Sequence, residues 1–324
     1  MVYVTKSNNF EEIRLEWEAL LPHCSTNTIF LTPKWQSVWW KHFGAGFELC
    51  IITVQDENEI LGIAPLMLKD GIITFIGHES LFDYQDFLVK QDYEDKFFKS
   101  LSEYLFNMNW HTMNLTSIPE SSSTLNFFIN VFENKINSLE LNPDDTTPVS
   151  HLTSSWDEYL FNLSKKQRHE LKRKIRRLEN VDTFNQYLCD TNDIESSMSD
   201  FLDLMALSNP EKKDFLTIER QSFFKDVASE LSLEGQFKLY FMEIDGKRVA
   251  GCICFDYANS YLLYNSGYNP KYAHLSVGLL NKAICIKDAI KLGRDSFNFL
   301  KGSERYKYDL GAKNKNTYRL MVNR

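Results

Sequence analysis

The sequence predicts an α/β (α+β) protein made of two similar lobes. Its 324 residues suggest about two domains of ordinary size. Hydrophobic residues make up 43% of the chain and aromatic residues 14%, which is enough for sizeable cores. Each half shows the same order: strand, polar turn, strand with a glycine (Gly62 or Gly251), turn, strand ending in a glycine (Gly77 or Gly267), loop, helix, strand. Two such units side by side would create a ligand-binding cleft.

In the first half, apolar residues at helical spacing predict helices, and β-rich runs between turn signals predict strands. Thr32 and Pro33 are typical of a helix start, and Gly44 of a helix end. The predicted helices cover 10–21, 33–43, 93–108 and 123–132. The predicted strands cover 48–55, 60–68, 72–77, 113–117 and 136–141, with a polar turn at 56–59.

The breaker-rich segment 142–150 predicts the boundary between the lobes, which we place at 1–150 and 151–324. Beyond it, Asp245-Gly246 is a strong hairpin signal. The second half opens with the segment 156–163, and the predicted helices cover 164–179, 193–208, 217–233 and a segment beginning at 276. The predicted strands cover 182–188, 237–244, 248–257 and 296–300, with a further strand ending at 267.

The composition excludes several classes of protein. A formal net charge of −8 argues against a general nucleic-acid or anionic-membrane binder. The six cysteines form no C-x-x-C pair and no disulfide-like spacing, which is typical of reduced thiols. The N-terminus lacks the features of a signal peptide, and no apolar run is long enough to span a bilayer. We therefore expect a cytoplasmic protein without membrane insertion; its oligomeric state is not indicated.

The segment 248–312 holds the first candidate site. Two adjacent predicted strands lead into a loop and a helix start that carries Gly278. A helix start offers free backbone N–H groups and the positive end of the helix dipole, so it can hold a phosphate. The alternative is an ordinary buried helix start, where Gly278 allows close packing.

A basic run provides the second candidate. Between Lys165 and Arg177 there are eight lysines or arginines and a single acid, Glu170. Arg168 and Lys172 share one helical face with the arginine four residues further on, and such cations could bind phosphate groups. A solvated charged face is the alternative for most of them, and a nucleic-acid surface is weakened by the net acidity.

Two polar clusters complete the candidates. The loop 78–86 contains Asp83, Tyr84 and Asp86, which could hold an amine or sugar hydroxyls or accept a proton; a hydrophilic turn is the alternative. The segment after the strand 296–300 contains four further polar side chains. A lysine there could stabilise negative charge on a carbonyl oxygen, and a tyrosine could return a proton to a leaving group; packing and solvation are the alternative. The four polar side chains after the strand 296–300 are Lys301, Glu304, Tyr306 and Lys307.

Four stretches carry a resemblance to a known family. The sequence resembles GNAT-superfamily acyltransferases of the type associated with bacterial cellulose and polysaccharide biosynthesis. It is more distantly similar to Fem-type peptidoglycan aminoacyltransferases, which have twin GNAT-like domains. The matching stretches are FLTPKWQSVWWKHFG (30–44), APLMLKDGIITFIGHESLFDYQDFLV (64–89), LSKKQRHELKRKIRRL (163–178) and the segment 264–312.

The resemblance implies two tandem GNAT-like lobes, each a mixed, largely antiparallel sheet flanked by helices. It implies an N- or O-acyltransferase that moves an acyl group, usually acetyl from acetyl-CoA, to an amine or hydroxyl by direct attack. The acceptor would be a sugar, nucleotide sugar or other small polysaccharide or envelope precursor. The first lobe would bind the acceptor and the second the acyl-CoA. One departure stands out: the family's phosphate loop begins with Arg or Gln and continues to a glycine, and here these positions are Ala273 and Ser276.

The resemblance also implies roles for individual residues. Tyr306, Lys307, Lys301 and Asp83 would be catalytic, while Tyr84, Asp86, Arg168 and Lys172 would bind the substrate. The helix start Ser276, Val277, Gly278 and Leu279 would hold the acyl-CoA. His78 and His274 lack metal-ligand spacing, so we expect no metal.

Two alternatives remain open. A Fem-like enzyme would use aminoacyl-tRNA as donor, which the basic run favours, although no long coiled-coil pattern is present. A catalytically degenerate binding protein is favoured by the altered loop 273–278.

Overall fold

A computed structural model describes residues 2–57, 59–78, 80–132 and 136–324. The chain forms two compact units. Unit 1 contains the chain up to Thr146 and also Lys315–Arg324, whereas unit 2 is Thr147–Asn314. The second boundary differs from the predicted 151–324 because the segment after unit 2 returns to the sheet of unit 1. Asn58, in the predicted turn 56–59, and Glu79, in the predicted loop 78–86, lie outside the described residues.

The strands and helices are numbered in chain order. The strands are β1 Val2–Ser7, β2 Glu48–Asp56, β3 Glu59–Lys69, β4 Ile72–Phe75, β5 Leu88–Val89, β6 Thr112–Pro119, β7 Ser138–Thr146, β8 Val149–His151, β9 Asn185–Leu188, β10 Phe237–Ile244, β11 Lys247–Tyr257, β12 Ser260–Tyr268, β13 Ser296–Asn298 and β14 Asn316–Asn323. The helices are α1 Arg14–Leu20, α2 Pro33–Phe43, α3 Glu94–Phe106, α4 Thr124–Phe132, α5 Trp156–Asn162, α6 Lys165–Glu179, α7 Ile194–Ser208, α8 Pro210–Phe215, α9 Ile218–Ser232, α10 Val277–Lys291 and α11 Arg305–Asp309.

Unit 1 is built on a sheet in the order β1-β2-β3-β4-β6-β14-β7, with β5 also paired to β3. The pairs are antiparallel except β4 with β6, which is parallel. The core beneath α3 and α4 is strongly aromatic: Phe128 stacks on Phe87 and Phe132, with ring centroids 5.7 and 4.1 Å apart. These contacts hold the loop before β5 onto the helices.

Unit 2 has a sheet in the order β8-β13-β12-β11-β10-β9, and only β12 with β13 is parallel. Helix α10 packs on β10, β11 and β12, while α7 packs on β11 and β12. The backbone of α7 lies so close to β12 that a Cβ atom on Gly267 would lie 2.3 Å from the Met205 nitrogen. Glycine is therefore required at the point where strand and helix meet.

The predicted fold class is confirmed: the molecule has two mixed sheets flanked by helices. The elements β1, β5, β8, β14, α5, α8 and α11 were not predicted. The breaker-rich segment 142–150 is not a simple linker, because β7 continues through it to Thr146. Pro143 is tolerated there since β7 is an edge strand and the register with β14 shifts beside it, between Thr317 and Tyr318.

Candidate functional site

The start of α10 lies at the centre of the candidate site. A 3₁₀ turn, Pro270–Leu275, leads into Ser276, whose left-handed backbone (φ 60°) redirects the chain into the helix. The Ser276 carbonyl accepts from the N–H groups of Leu279 and Leu280. The N–H groups of Val277 and Gly278 precede any intrahelical acceptor, so they point outward at the positive end of the dipole. The predicted helix start is therefore present and can accept an anion.

Gly278 also allows close packing at this helix start. A Cβ atom there would lie 3.0 Å from the Tyr268 ring, at the end of β12. The packing alternative and the phosphate-binding alternative for this glycine are thus compatible.

Helix α6 brings basic side chains to the same place. It begins with a full capping box, in which Ser164 and Gln167 satisfy each other's backbone N–H groups. Near its other end, Arg177 Nη2 donates to Ser276 Oγ over 3.1 Å. The Nε atom of Arg177 is buried and has no hydrogen-bond partner among the described residues. The predicted basic run and the predicted helix start, 99 residues apart in sequence, therefore meet in unit 2.

A cavity opens beside this contact. It has a volume of about 260 Å³ and is lined by Lys174, Tyr268, Ala273, Ser276, Val277, Gly278, Leu279, Lys282 and Tyr306. A second cavity of about 390 Å³ shares Lys174 and Leu279 with it and continues toward the start of α6 and α11. Together we call the two cavities the groove of unit 2; the charged side chains that line it are Lys166, Lys174, Lys282 and Arg305 and the acids Glu170 and Asp309.

The two parallel strands behind the groove separate early. β13 pairs with β12 only at Ser260, Tyr261 and Leu262, although β12 continues to Tyr268. The register of β12 against β11 also shifts by one residue just before Asn265. Beyond the paired residues, the Nζ atom of Lys212 in α8 donates to Asn265 Oδ1 at 3.0 Å and to the Ser266 carbonyl at 2.6 Å.

Tyr306 and Lys282 face each other in the cavity. The Lys282 Nζ atom lies 4.7 Å from the centroid of the Tyr306 ring and donates to the Gly278 carbonyl at 3.0 Å. Burial, and then the negative charge of Glu304, raise the pKa of Tyr306. The hydroxyl therefore stays protonated at neutral pH, and its role as a proton donor stays a prediction.

The structure favours a different role for Lys307. This lysine is only 1% exposed, and its Nζ atom donates to the carbonyls of Leu300, Lys301 and Gly302 at 2.5 to 3.1 Å. It also pairs with Glu304 at 3.0 Å. All of these partners fix the turn after β13, where Leu300 has a left-handed backbone (φ 58°). Because its donors are already used, the structure favours a structural role for Lys307 over the predicted catalytic one. Lys301 is half-buried in the same turn, and its catalytic role stays a prediction.

Arg168 also has an internal function. Its Nη1 atom donates to the Phe161 carbonyl at 2.8 Å and to the Leu163 carbonyl at 3.4 Å, and its guanidinium lies over the Phe161 ring. It therefore satisfies carbonyls at the end of α5. Lys172 is exposed on the outer face of α6. In α6 it is Lys174 and Arg177, not Arg168 and Lys172, that reach the α10 start.

Gln85, in the predicted loop 78–86, links the two parallel strands of unit 1. Gln85 is 3% exposed and bridges the two parallel strands: its N–H donates to the Ser117 carbonyl, its Nε2 to the Ile76 carbonyl, and its Oε1 accepts from Thr116. The three distances are 3.0 to 3.1 Å. The sequence analysis did not select Gln85.

Asp86 is buried within unit 1. It is 1% exposed and accepts hydrogen bonds from Thr26 at 2.5 Å, Thr124 at 2.6 Å and the Phe87 N–H at 2.9 Å. Burial raises its pKa, while these hydrogen bonds oppose the rise. Tyr84 is also buried, with its ring centroid 6.4 Å from that of Phe30, and Asp83 is half-buried. The burial of both side chains favours packing for Asp86 and Tyr84, and their substrate-binding role stays a prediction.

Two kinds of site residue were missed by the sequence analysis. The sequence pattern could have identified Lys282, because this lysine interrupts the apolar face of α10 between Leu280 and Ala283. Lys212 and Gln85 gave no such signal, since each lies in a short polar segment whose partners are distant in sequence.

No group of three or more potential metal-binding side chains is found among the described residues, and no described helix is long and apolar enough to cross a membrane. The six cysteines are buried and free, and burial raises the pKa of the thiols of Cys24, Cys252, Cys254 and Cys285.

Residues 165–308 match the family model described as an acetyltransferase (GNAT) domain. The matched region lies within unit 2 and contains α6, α8, α10 and Tyr306. No curated protein matches the chain.

Among solved structures, the chain is similar to FemX, with a TM-score of 0.69 at 11% identity over 94% of this chain and 95% of that one. It is similar to the C-terminal domain of a putative lysylphosphatidylglycerol synthetase from Agrobacterium fabrum, with a TM-score of 0.62 at 11% identity over 98% and 92% of the two chains. It is also similar to a tandem GNAT protein from the clavulanic acid biosynthesis pathway, with a TM-score of 0.55 at 10% identity over 99% and 98%. These similarities establish the tandem GNAT-like fold.

Proposed function

We propose that the protein is an acyltransferase that uses acyl-CoA as donor and binds it in the groove of unit 2. The contact between Arg177 and Ser276 is the observation that carries this proposal, because it joins a cation to a helix start beside a cavity. The donor phosphates would bind to the N–H groups of Val277 and Gly278. Lys174 lines the same cavity and would add a second positive charge.

Arg177 also bears on the departure from the family loop. The basic or glutamine position of that loop is Ala273 here, so the loop itself supplies no cation. Arg177 reaches the same helix start from α6 and would supply the missing charge. Its buried, unpartnered Nε atom supports this role, since a bound phosphate oxygen would satisfy it.

The reaction would be direct transfer. A neutral amine or a hydroxyl of the acceptor attacks the thioester carbonyl, the C–S bond breaks, and the Tyr306 hydroxyl protonates the departing thiolate. The acceptor loses its proton to solvent, and Tyr306 is reprotonated from solvent. We propose a sugar, nucleotide sugar or similar polysaccharide or envelope precursor as acceptor, an acetyl group as the transferred group, and a cytoplasmic location.

A second candidate donor is aminoacyl-tRNA. The outer face of α6 supports it, because several of its basic side chains are exposed: Lys165, Lys166, Lys172, Arg173 and Arg176. Binding of this kind would weaken steeply as salt concentration rises, because many phosphates would be contacted.

Calorimetric titration of the purified protein with acetyl-CoA tests the proposal. We expect Arg177→Gln to weaken binding by about tenfold or more, since a charge-assisted hydrogen bond contributes about 1.5–3 kcal/mol. Lys291→Gln is the matched control, because Lys291 is exposed at the opposite end of α10. In hydrogen exchange, acetyl-CoA should protect the amides around Gly278.

Absence of binding by acetyl-CoA and by longer acyl-CoAs, with no protection around Gly278, would exclude the coenzyme A donor. Salt-sensitive binding of charged tRNA in the same preparation would then identify the second candidate as correct.

A further inference from the structure

Two lysines in unit 2, one buried and one half-buried, have no carboxylate partner among the described residues. Lys282 is 6% exposed, and Lys212 is half-buried. Neither forms an ion pair with any carboxylate of the described residues. Both are placed beside the part of β12 that β13 leaves unpaired: Lys212 donates to Asn265 and Ser266, and Lys282 donates to Gly278, which packs against Tyr268. Lys282 also lines the cavity with Tyr306.

Their hydrogen bonds leave donors unused. An ammonium group has three N–H donors. Lys282 gives one to the Gly278 carbonyl, and Lys212 gives one each to Asn265 and Ser266. Lys307 shows how a structural lysine in this unit is satisfied, since it has three carbonyl acceptors and the carboxylate of Glu304. Compared with Lys307, the ammonium groups of Lys212 and Lys282 each have at least one N–H donor without an acceptor.

The charge balance points the same way. Of the three lysines Lys212, Lys282 and Lys307, only Lys307 forms an ion pair within the described part of the chain, with Glu304. Burial, and then the charge of Lys282, lower the pKa of Lys212 to about 8. The two ammonium groups therefore repel each other in the absence of a ligand, and an anion between them would relieve that repulsion.

We propose that Lys212 and Lys282 bind a carboxylate carried by one of the two substrates. This rests on the proposed function, which puts the donor phosphates at Val277 and Gly278 and so leaves the acyl end and the acceptor near these lysines. The carboxylate belongs either to the transferred acyl chain, as in a dicarboxylic monothioester, or to the acceptor.

The first experiment compares succinyl-CoA with butyryl-CoA, which has the same chain length and no carboxylate. If the acyl chain carries the anion, calorimetry at about pH 7 should show succinyl-CoA binding about tenfold or more tightly. Lys212→Gln should remove that preference and leave butyryl-CoA binding unchanged, and Lys282→Gln should reduce the ratio of succinyl-CoA to butyryl-CoA affinity. Because Lys212 has a pKa of about 8, the preference in the wild type should also decrease above that pH.

The second experiment adds succinate to protein saturated with butyryl-CoA. If the acceptor carries the anion, the two thioesters bind equally, and succinate binds to the wild type about tenfold or more tightly than to either lysine variant. Lys213→Gln and Lys287→Gln are matched controls, since both lysines are exposed and lie on the same two helices. Lys282→Arg should keep the anion binding, which a purely structural role would not predict.

The proposal is overturned if neither the thioester preference nor succinate binding depends on Lys212 and Lys282 in variants that melt like the wild type. If no thioester binds, the coenzyme A proposal fails instead, and succinate binding to the free protein still reports on the two lysines.

Discussion

Each unit contains a pair of parallel strands, β4 with β6 in unit 1 and β12 with β13 in unit 2. The two pairs differ in the side chains that lie beyond their paired residues. In unit 1, β4 and β6 pair at Ile72 and Ile73, and the buried side chain of Gln85 then bridges the two strands. In unit 2, β12 and β13 pair over three residues, and beyond them Lys212 contacts β12. In unit 1 the neutral amide of Gln85 links the two strands, whereas in unit 2 the cationic side chain of Lys212 contacts one of them.

The helices that follow show the same contrast. The first turn of α3 in unit 1 contains Glu94 and Asp95, whose charges complement the helix dipole and repel an added anion. The first turn of α10 in unit 2 has no acidic residue and receives Arg177 from α6. Of these two helix starts, the one in unit 2 is therefore better suited to an added anion.

The largest effect is expected from removing the charge of Lys307. In Lys307→Met the carbonyls of Leu300, Lys301 and Gly302 lose their donor, so the free energy of unfolding of unit 2 should fall by about 3 kcal/mol. Scanning calorimetry measures this change, with Lys287→Met as an exposed control. A variant of unchanged stability that had lost only activity would restore the catalytic interpretation of Lys307.

An intermediate effect on stability is expected from removing the hydrogen bonds of Gln85 in unit 1. Gln85→Leu leaves the Ile76 carbonyl and the Thr116 hydroxyl without their partner, and it should destabilise unit 1 by about 2 kcal/mol in denaturant unfolding. Acetyl-CoA binding should stay at the wild-type level, because the donor groove lies in unit 2. The exposed Gln91→Leu serves as control; loss of donor binding in Gln85→Leu would break the comparison.

The smallest effect concerns Asp86. Its pKa is raised in the folded protein above the ordinary 3.8, so the folded state holds the proton more tightly than the unfolded state. Stability from this group is therefore complete below 3.8 and decreases as pH rises through the folded pKa. Asp86→Asn should remove this part of the pH dependence and change the unfolding free energy at neutral pH by about 1 kcal/mol or less.

Unfolding of both proteins across the acidic range checks this prediction. A large increase in the KM for an acceptor, with unchanged pH dependence of stability, would instead support the substrate-binding role predicted from the sequence.

Local patterns were sufficient for much of the fold. Thr32 does cap α2 by accepting from the Trp35 N–H, and Ser164 begins α6, because these signals act within one helical turn. The start of α10 was predicted for the same reason. β1 was not predicted, since a short strand at the edge of a sheet has little apolar periodicity of its own.

The roles of charged residues were less accessible to sequence reasoning. Lys307 was selected and Lys282 was not, although both are lysines in polar or mixed segments. What separates them is the number of carbonyl acceptors around each ammonium group, which tertiary structure alone determines. Arg168 and Arg177 differ for the same reason, since one satisfies the end of α5 and the other reaches Ser276.

The position of β14 has a consequence for biosynthesis. This strand lies between β6 and β7 in unit 1, yet it follows all of unit 2 in the chain. A ribosome therefore finishes unit 2 before the sheet of unit 1 can close. Until Asn316–Asn323 has left the exit tunnel, the facing edges of β6 and β7 lack their partner and could pair with another strand. Early chaperone binding, or slow translation of the residues after unit 2, would therefore affect the folding of unit 1 most.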